Sequence, residues 1–130
     1  VVMQTAEHTT YTLEGTVNGA ASALQWASNT LKLSHIETSM ENWLTNSIAP
    51  PLFLNGVSGL GAPYWIADFQ SQFIGAGEAW EKMVAVVESI VFLLHTNLCE
   101  MESACPAPRT IVISGGLATL NGLCKRLADL

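Results

Sequence analysis

The sequence predicts an α/β fold, in which short strands alternate with amphipathic helices. Two observations favour this class. Short apolar or β-branched runs end at glycine or proline, whereas longer segments repeat apolar residues at helical spacing. Of the 130 residues, 49% are hydrophobic and 12% are charged, which is the composition of a folded chain with a core. The sequence therefore predicts one α/β domain or a part of one.

Each predicted element has a local signal. The first two strands are β-branched runs on either side of the polar pair Glu7 and His8, which is typical of a hairpin. Thr38 or Ser39 is expected to begin the second helix, with Glu41 in its first turn. Prolines and glycines end the other elements. The predicted elements are strands at residues 1–5 and 9–13, helices at 17–33 and 38–47, strands at 51–55 and near Phe73, a helix at 78–101, a strand at 109–113 and a helix at 119–130.

Charge and cysteine content exclude several classes of function. The formal net charge is −6 with five Lys and Arg, which argues against a nucleic-acid partner and against an anionic membrane surface. The most apolar stretch, residues 83–94, contains Glu88 and is expected to be a core helix rather than a membrane span. The three cysteines have no CxxC spacing, so we expect reduced, mostly buried thiols in a cytoplasmic protein and no zinc site.

Both termini have the character of internal sequence. The chain begins within a β-branched run without an initiator Met, and it ends within an amphipathic helix that has no Gly or Pro stop signal. We therefore expect these residues to be an excised piece of a longer chain.

A glycine pair near the C-terminus is the best candidate for a ligand site. In "IVISGGLATLNG", residues 111–122, an apolar run reaches Gly115 and Gly116 and continues as a helix. Such a junction lets a phosphate approach the backbone and the positive end of the helix, although it can also be a simple tight turn. The spacing matches neither GxxxxGK[ST] nor GxGxxG. The junction alone therefore does not decide between a nucleotide site and a turn.

The remaining motifs indicate no catalytic group. "SGLGAPYW", residues 58–65, reads as a structural loop whose aromatic residues Tyr64 and Trp65 are pinned into a core. No serine has the GxSxG spacing of a nucleophile. Asp68 would need a substrate within hydrogen-bond reach to act as a general base, and nothing in the sequence supplies one.

Three blocks in chain order resemble the C-terminal domain of the FGGY carbohydrate kinases, with the glycerol kinases as the most similar members. They are "YTLEGTVNGAASALQW" at residues 11–26, "SGLGAPYW" at 58–65 and "ISGGLATLNGLCKRLADL" at 113–130. The resemblance implies a ribonuclease H-like, actin-like ATPase lobe with a mixed sheet and flanking helices. Residues 1–130 would then be part of the C-terminal nucleotide-binding domain, without the N-terminal sugar-binding domain.

The resemblance also implies a reaction. In this family ATP lies between two lobes, and an Asp base activates a sugar or polyol hydroxyl to attack the γ-phosphate in the presence of Mg²⁺. That Asp belongs to a Gly-Asp motif upstream of the first residue given, so we expect this chain alone to be inactive. The implied partners are a nucleotide and, through the missing lobe, a small sugar or polyol. A homo-oligomer is possible.

Matching the family position by position assigns five nucleotide-contacting residues. Gly116 corresponds to the second glycine at the nucleotide, directly after Gly115, and Gln25 to a side chain near the adenosine end. Ala21 stands where the glycerol kinases have glycine. The family's Asn, four residues after the double glycine, falls on a leucine here, with Asn121 one step later. The resemblance implies no metal-binding residue in this segment.

Two departures from the family pattern leave other functions open. Leu120 replaces the Asn, and Ser114 stands where an Asp often precedes the glycines. A non-catalytic module with the ATPase fold is therefore the main alternative. A dinucleotide-dependent reductase is a third hypothesis that depends on "VISGG" alone and conflicts with the glycine spacing.

Overall fold

The computed structural model describes residues 3–47 and 49–130, which form four α-helices and two short antiparallel strand pairs. This arrangement confirms the predicted α/β class. The order is β1 (Met3–Gln4), β2 (Thr9–Thr10), α1 (Ala20–Leu31), α2 (Ile36–Asn46), β3 (Leu52–Leu54), β4 (Gln72–Ile74), α3 (Ala79–Glu102) and α4 (Asn121–Ala128), with a 3₁₀ turn at Gly116–Thr119 before α4.

Both predicted strand pairs are present and shorter than predicted. β1 pairs with β2, with Met3 opposite Thr10, and β3 pairs with β4, with Phe53 opposite Phe73. The first two residues of the predicted hairpin lie outside the described residues. Among the residues described, all strand pairing is antiparallel, so the larger mixed sheet implied by the family stays a prediction.

The first two helices each begin after a left-handed residue, and α1 also ends at one, whereas α2 ends at the extended residue Ser47. α1 begins after Gly19 (φ +59°) and ends at Lys32 (φ +54°), so the predicted helix at 17–33 is too long at both ends. α2 begins after His35 (φ +56°), before the predicted start at Thr38. The Thr38 hydroxyl does not cap a helix but donates to the His35 carbonyl at 3.0 Å.

α3 is the central helix, and it begins where the sequence predicts. Glu78 and Glu81 form a reciprocal capping box, in which the Glu78 backbone N–H donates to the Glu81 carboxylate at 2.8 Å. By length and composition α3 is apolar enough to cross a membrane, with a mean hydropathy of 1.5 over a window of 18 residues. Half of that window is nevertheless buried inside the fold, which is typical of a core helix.

The core forms where α1, α2 and α4 pack against α3. Next to it, the rings of Trp26, Phe53 and Phe73 form a cluster with centroids 4.6 to 6.3 Å apart, which ties the β3–β4 hairpin to α1. The buried apolar residues of the core cluster are Ala23, Ala27, Met40, Leu44, Phe53, Met83, Val84, Ala85, Val86, Val87, Val91, Leu123 and Leu127.

The predicted strand at residues 109–113 is wrong for this structure. The segment has no strand pairing among the described residues, and Val112 is 88% exposed. A strand exists only through hydrogen bonds to a neighbouring strand, so an apolar run without such a neighbour stays irregular. The segment that precedes the glycine pair is therefore exposed and irregular, and it is not a buried strand.

The C-terminal helix is also shorter than predicted. Residues 116–119 form the 3₁₀ turn, in which Ala118 N–H donates to the Gly115 carbonyl at 3.1 Å. α4 begins at Asn121, two residues after the predicted start, and ends at Ala128. Its buried residues Leu123 and Leu127 are one turn apart and pack into the core.

Two predictions of burial are wrong. The aromatic residues of "SGLGAPYW" are exposed, with Trp65 at 70% and Tyr64 at 50%. The loop is instead held by backbone hydrogen bonds between Leu60 and Ile66, in both directions at 2.8 and 3.1 Å. The thiols of Cys99 and Cys105 are exposed as well, since they follow the buried part of α3.

Candidate functional site

A cavity of about 320 Å³ lies between α1, α2 and the 3₁₀ turn that follows the glycine pair. We call it the glycine-turn cavity. It is the one place in the described structure where three of the five sequence-predicted site residues meet. Its lining consists of Ala21, Leu24 and Gln25 from α1, Ile36, Glu37 and Met40 from α2, and Gly116, Leu117, Thr119 and Leu120 from the turn and its end.

Ala21 and Gln25, the two predicted site residues of α1, lie one turn apart and therefore share the face that borders the cavity. Ala21 is small and exposed, so it leaves room for a ligand to approach the helix. The Gln25 side-chain amide donates to the Asn29 side chain at 3.3 Å, which orients it along the helix. Both residues border the cavity, and their contact with a nucleotide stays a prediction.

The glycine turn forms the opposite wall of the cavity. Gly115 has φ +94°, a conformation that favours glycine, and it precedes the lining residue Gly116 without lining the cavity itself. The Thr119 hydroxyl donates to the Gly116 carbonyl at 2.7 Å and closes the turn. The backbone around Gly116 is therefore fixed while its open side faces the cavity.

Gly116 differs from the other glycines of the chain. A methyl group added at Gly116 would meet nothing within 4 Å in the described structure, and its φ is not in the left-handed region. Each of the other nine glycines either has a left-handed φ or would bring a side chain into close contact with the chain itself. Neither the packing nor the backbone of this protein explains the absence of a side chain at Gly116.

The fifth predicted residue lies elsewhere. Asn121, the first residue of α4, lines a separate cleft of about 390 Å³ together with Glu41, Lys125 and Arg126. Leu120 lines the glycine-turn cavity in its place. The structure therefore does not bring Asn121 to the other predicted residues. Leu120 and Asn121 are consecutive residues at the start of α4, and they line different cavities.

The positive end of α4 is already occupied by a carboxylate. Gly122 N–H donates to both carboxylate oxygens of Glu41, at 3.0 and 3.3 Å. The expectation that the helix after the glycine pair offers free N–H groups to a phosphate is therefore wrong at Gly122. An anion in this place also cancels part of the positive potential of the helix end.

The lining of the cavity suits an uncharged, mostly apolar group. Among its lining residues Glu37 alone carries a formal charge, and no Lys or Arg borders it. Leu24, Ile36 and Met40 supply apolar surface, whereas Gln25 and Thr119 supply polar atoms. Such a combination of apolar walls and a few polar groups is typical of small-molecule sites.

Sequence reasoning missed the contribution of α2. Ile36, Glu37 and Met40 line the cavity because α2 begins at Ile36 rather than at Thr38. The residues occupy positions i, i+1 and i+4 of one helix face. A helical pattern read from Ile36 instead of from a capping residue would have found them.

A larger cavity of about 560 Å³ lies between the end of α3, α4 and the exposed segment at residues 108–113. His95 and Cys99 border it, with 3.5 Å between the His95 ring Nε2 and the Cys99 Sγ. None of the sequence-predicted nucleotide residues lines it. Within the described residues, no group of three His, Cys, Asp or Glu side chains is arranged to hold a metal ion.

Known proteins are similar to this chain in both sequence and fold. The chain is 30% identical over 127 residues to a glycerol kinase of Nostoc sp. and 29% identical over 126 residues to one of Listeria welshimeri. Each alignment covers 92% of this chain and 25% of the relative, so the chain spans about a quarter of the length of these relatives.

A solved structure of a xyloylose kinase from Brucella ovis is similar with a TM-score of 0.72 and 25% identity, covering 83% of this chain and 23% of that chain. The model of the C-terminal domain of the FGGY family of carbohydrate kinases matches residues 2–130, which is nearly the whole chain. The chain therefore belongs to the FGGY family of carbohydrate kinases, and its similarity is to the C-terminal domain of that family.

Proposed function

We propose that this chain forms part of the nucleotide-binding side of a cytoplasmic, ATP-dependent carbohydrate kinase, which transfers the γ-phosphate of ATP to a hydroxyl of a sugar or polyol. In this proposal the glycine-turn cavity takes the adenine and ribose of ATP. Ala21, Gln25 and Gly116 contact the adenosine part, and Gly115 presents the exposed side of the turn toward the phosphates.

The observation that carries the proposal is the unexplained glycine at position 116. A residue without a side chain, in a place where the chain itself has room for one, leaves space for a group that comes from outside. The cavity that Gly116 borders has the volume and the lining of a small-ligand site. Membership in a kinase family supplies the identity of that ligand, a nucleotide.

Mg²⁺ fits this proposal as a partner of the nucleotide. The described residues hold no cluster of three metal-binding side chains, and the cavity itself has a single carboxylate, Glu37. Mg²⁺ is commonly held by substrate phosphates together with one or two carboxylates. In the proposed complex, therefore, the phosphates carry the cation, which balances charge during phosphoryl transfer.

The test is the affinity for MgADP after the substitution Gly116→Ala. We expect the dissociation constant, measured by calorimetry on the longest natural chain that contains this sequence, to rise at least about tenfold, which is 1.4 kcal/mol. The thermal midpoint should stay the same or rise slightly, because alanine fits and restricts the unfolded chain. Thr30→Ala, at an exposed residue of α1 that does not line the cavity, is the matched control and should leave the affinity unchanged.

Unchanged MgADP affinity in Gly116→Ala, or no binding by the unsubstituted chain, would overturn the proposal. The presence of Leu120 at the cavity favours one alternative, a non-catalytic module with the same fold, because the family's adenine-contacting amide is absent there. Phosphotransfer from ATP to a panel of polyols and sugars separates the two functions. A protein that binds MgADP and phosphorylates no acceptor would be such a module.

A further inference from the structure

Glu41 connects α2 to α4 across a long separation in sequence. Its carboxylate accepts the Gly122 N–H with both oxygens, at 3.0 and 3.3 Å. The residue at the N-cap of α4, Leu120, has no side-chain oxygen with which to accept such a bond, and no side-chain cap is present. Glu41 therefore does from a neighbouring helix what a Ser or Asp at the N-cap does locally.

Close packing holds the same two helices together at this point. A methyl group at Gly122 would come within 2.6 Å of the Leu44 Cβ, so the glycine allows α4 to approach α2 closely. Leu44 is 2% exposed and lies one turn after Glu41 on the same helix face. The hydrogen bond and the glycine contact together define the position of the start of α4 relative to α2.

The same two segments also form walls of the glycine-turn cavity. α2 contributes Met40, which directly precedes Glu41, and Ile36 one turn before Met40, and α4 begins directly after the lining residue Leu120. A shift of α4 away from α2 would therefore move Leu120 away from Met40. The width of the cavity depends on a contact that lies outside it.

We propose that Glu41 is a positioning residue for nucleotide binding, which holds the glycine turn at the correct distance from α2 without touching the ligand. This inference rests on the proposed function. The carboxylate also occupies the positive end of α4, so the phosphates of the nucleotide are directed to the exposed side of Gly115 and not to the helix end. Lys125, Arg126 and Asp129 border the same cleft as Glu41, and Arg126 pairs there with Glu88.

The test compares Glu41→Ala with Glu41→Gln in the longest natural chain that contains this sequence. Glu41→Ala should weaken MgADP binding about fivefold, since part of the effect of losing a charge-assisted hydrogen bond reaches the cavity wall. Hydrogen exchange of the Gly122 amide should accelerate about tenfold in the same variant. In Glu41→Gln the side-chain oxygen still accepts from Gly122, so affinity should return to within about twofold of the original.

Glu100→Ala is the matched control, because Glu100 is an exposed helical glutamate near the end of α3, away from the cavity. It should change neither the MgADP affinity nor the exchange of the Gly122 amide. All affinities are measured at a temperature where circular dichroism shows each variant fully folded. A loss of affinity in Glu41→Ala then reports on the cavity and not on the folded fraction.

The outcomes separate the inference from the proposed function. If Glu41→Ala accelerates Gly122 exchange but binds MgADP as tightly as Glu100→Ala does, Glu41 is only a helix cap and the inference fails. If the unsubstituted chain binds no MgADP, the proposed function fails. The NMR chemical shifts of the Leu117 and Leu120 methyl groups then test whether Glu41 positions the glycine turn. Shifts that stay unchanged in Glu41→Ala would overturn the positioning role.

Discussion

Two glycines of the C-terminal segment belong to the same motif and have opposite surroundings. Gly116 begins the 3₁₀ turn beside a cavity, with nothing within 4 Å of the place where a side chain would be. Gly122 lies in the first turn of α4, with Leu44 directly against it. The first has its open side toward the cavity, and the second is enclosed by two helices.

The comparison teaches that a glycine in a family motif has no fixed meaning until its neighbours are known. Gly122 serves the packing of the fold, whereas no contact within the described chain accounts for Gly116. Alanine should therefore lower the free energy of unfolding at Gly122 and not at Gly116, and substitutions around the two positions can break or sharpen the distinction.

The largest effect on stability is expected for Gly122→Ala. Alanine normally stabilises a helix relative to glycine by about 1 kcal/mol. Here the added methyl group would overlap Leu44, and overpacking typically costs about 1–3 kcal/mol. We expect the free energy of unfolding from urea titration to fall by about 2 kcal/mol, whereas the same change at Gly116 should not lower it.

A double-mutant cycle checks the cause of that loss. Leu44→Ala removes the Cγ and Cδ1 contacts of the added methyl group but keeps the Cβ contact at 2.6 Å, so Gly122→Ala should cost somewhat less in this background than it does alone. Equal costs in the two backgrounds would mean that the Cγ and Cδ1 atoms of Leu44 contribute nothing to the loss. A stabilising Gly122→Ala would remove the contrast between the two glycines altogether.

A smaller effect is expected at the other end of α4. Arg126 donates to the Glu88 carboxylate at 3.0 Å and is within 3.5 Å of the Ser47 carbonyl, so it ties α4 to α3 and to the end of α2. Both charged side chains are about one-fifth exposed. Arg126→Ala should lower the free energy of unfolding by about 1 kcal/mol, because the partner is only partly removed from water.

The cycle with Glu88→Gln isolates the pair itself. A coupling near zero between the two substitutions would show that Arg126 acts through packing of its methylene groups. Nucleotide affinity should not change in either variant, since neither residue lines the glycine-turn cavity.

The smallest effect is expected for Asn121→Ala. Asn121 is exposed and lines the cleft on the side of α4 away from the predicted nucleotide residues. Both the MgADP dissociation constant, within about twofold, and the free energy of unfolding, within about 0.5 kcal/mol, should stay the same. A clear loss of affinity would mean that the turn places Asn121, and not Leu120, at the nucleotide.

Local signals were enough to predict the elements whose ends are determined locally. The helix predicted from residue 78 has Glu78 as its N-cap, and Glu78 forms the capping box with Glu81 three residues later. α2 instead begins after a left-handed His35, which has no capping side chain, so a search for Ser or Thr placed its start too late. The error hid the Ile36 wall of the cavity.

Long-range contacts were beyond the reach of sequence reasoning. The strand predicted at residues 109–113 has the right residue types, but strand formation depends on a neighbour that no local pattern reports. The Glu41–Gly122 contact joins residues 81 positions apart, and Glu41 was assigned to the first turn of its own helix. The resemblance to a family placed Ala21, Gln25 and Gly116 together, because it carries three-dimensional information that a single sequence lacks.

The exposed segment at residues 109–113 has a practical consequence for the behaviour of this chain in solution. Ile111, Val112 and Ile113 are β-branched, exposed and without strand partners among the described residues, which is the character of an unprotected sheet edge. At high concentration two copies should pair through it and precipitate. Val112 has an almost fully exposed side chain. The substitution Val112→Lys should therefore prevent this precipitation without lowering the thermal midpoint.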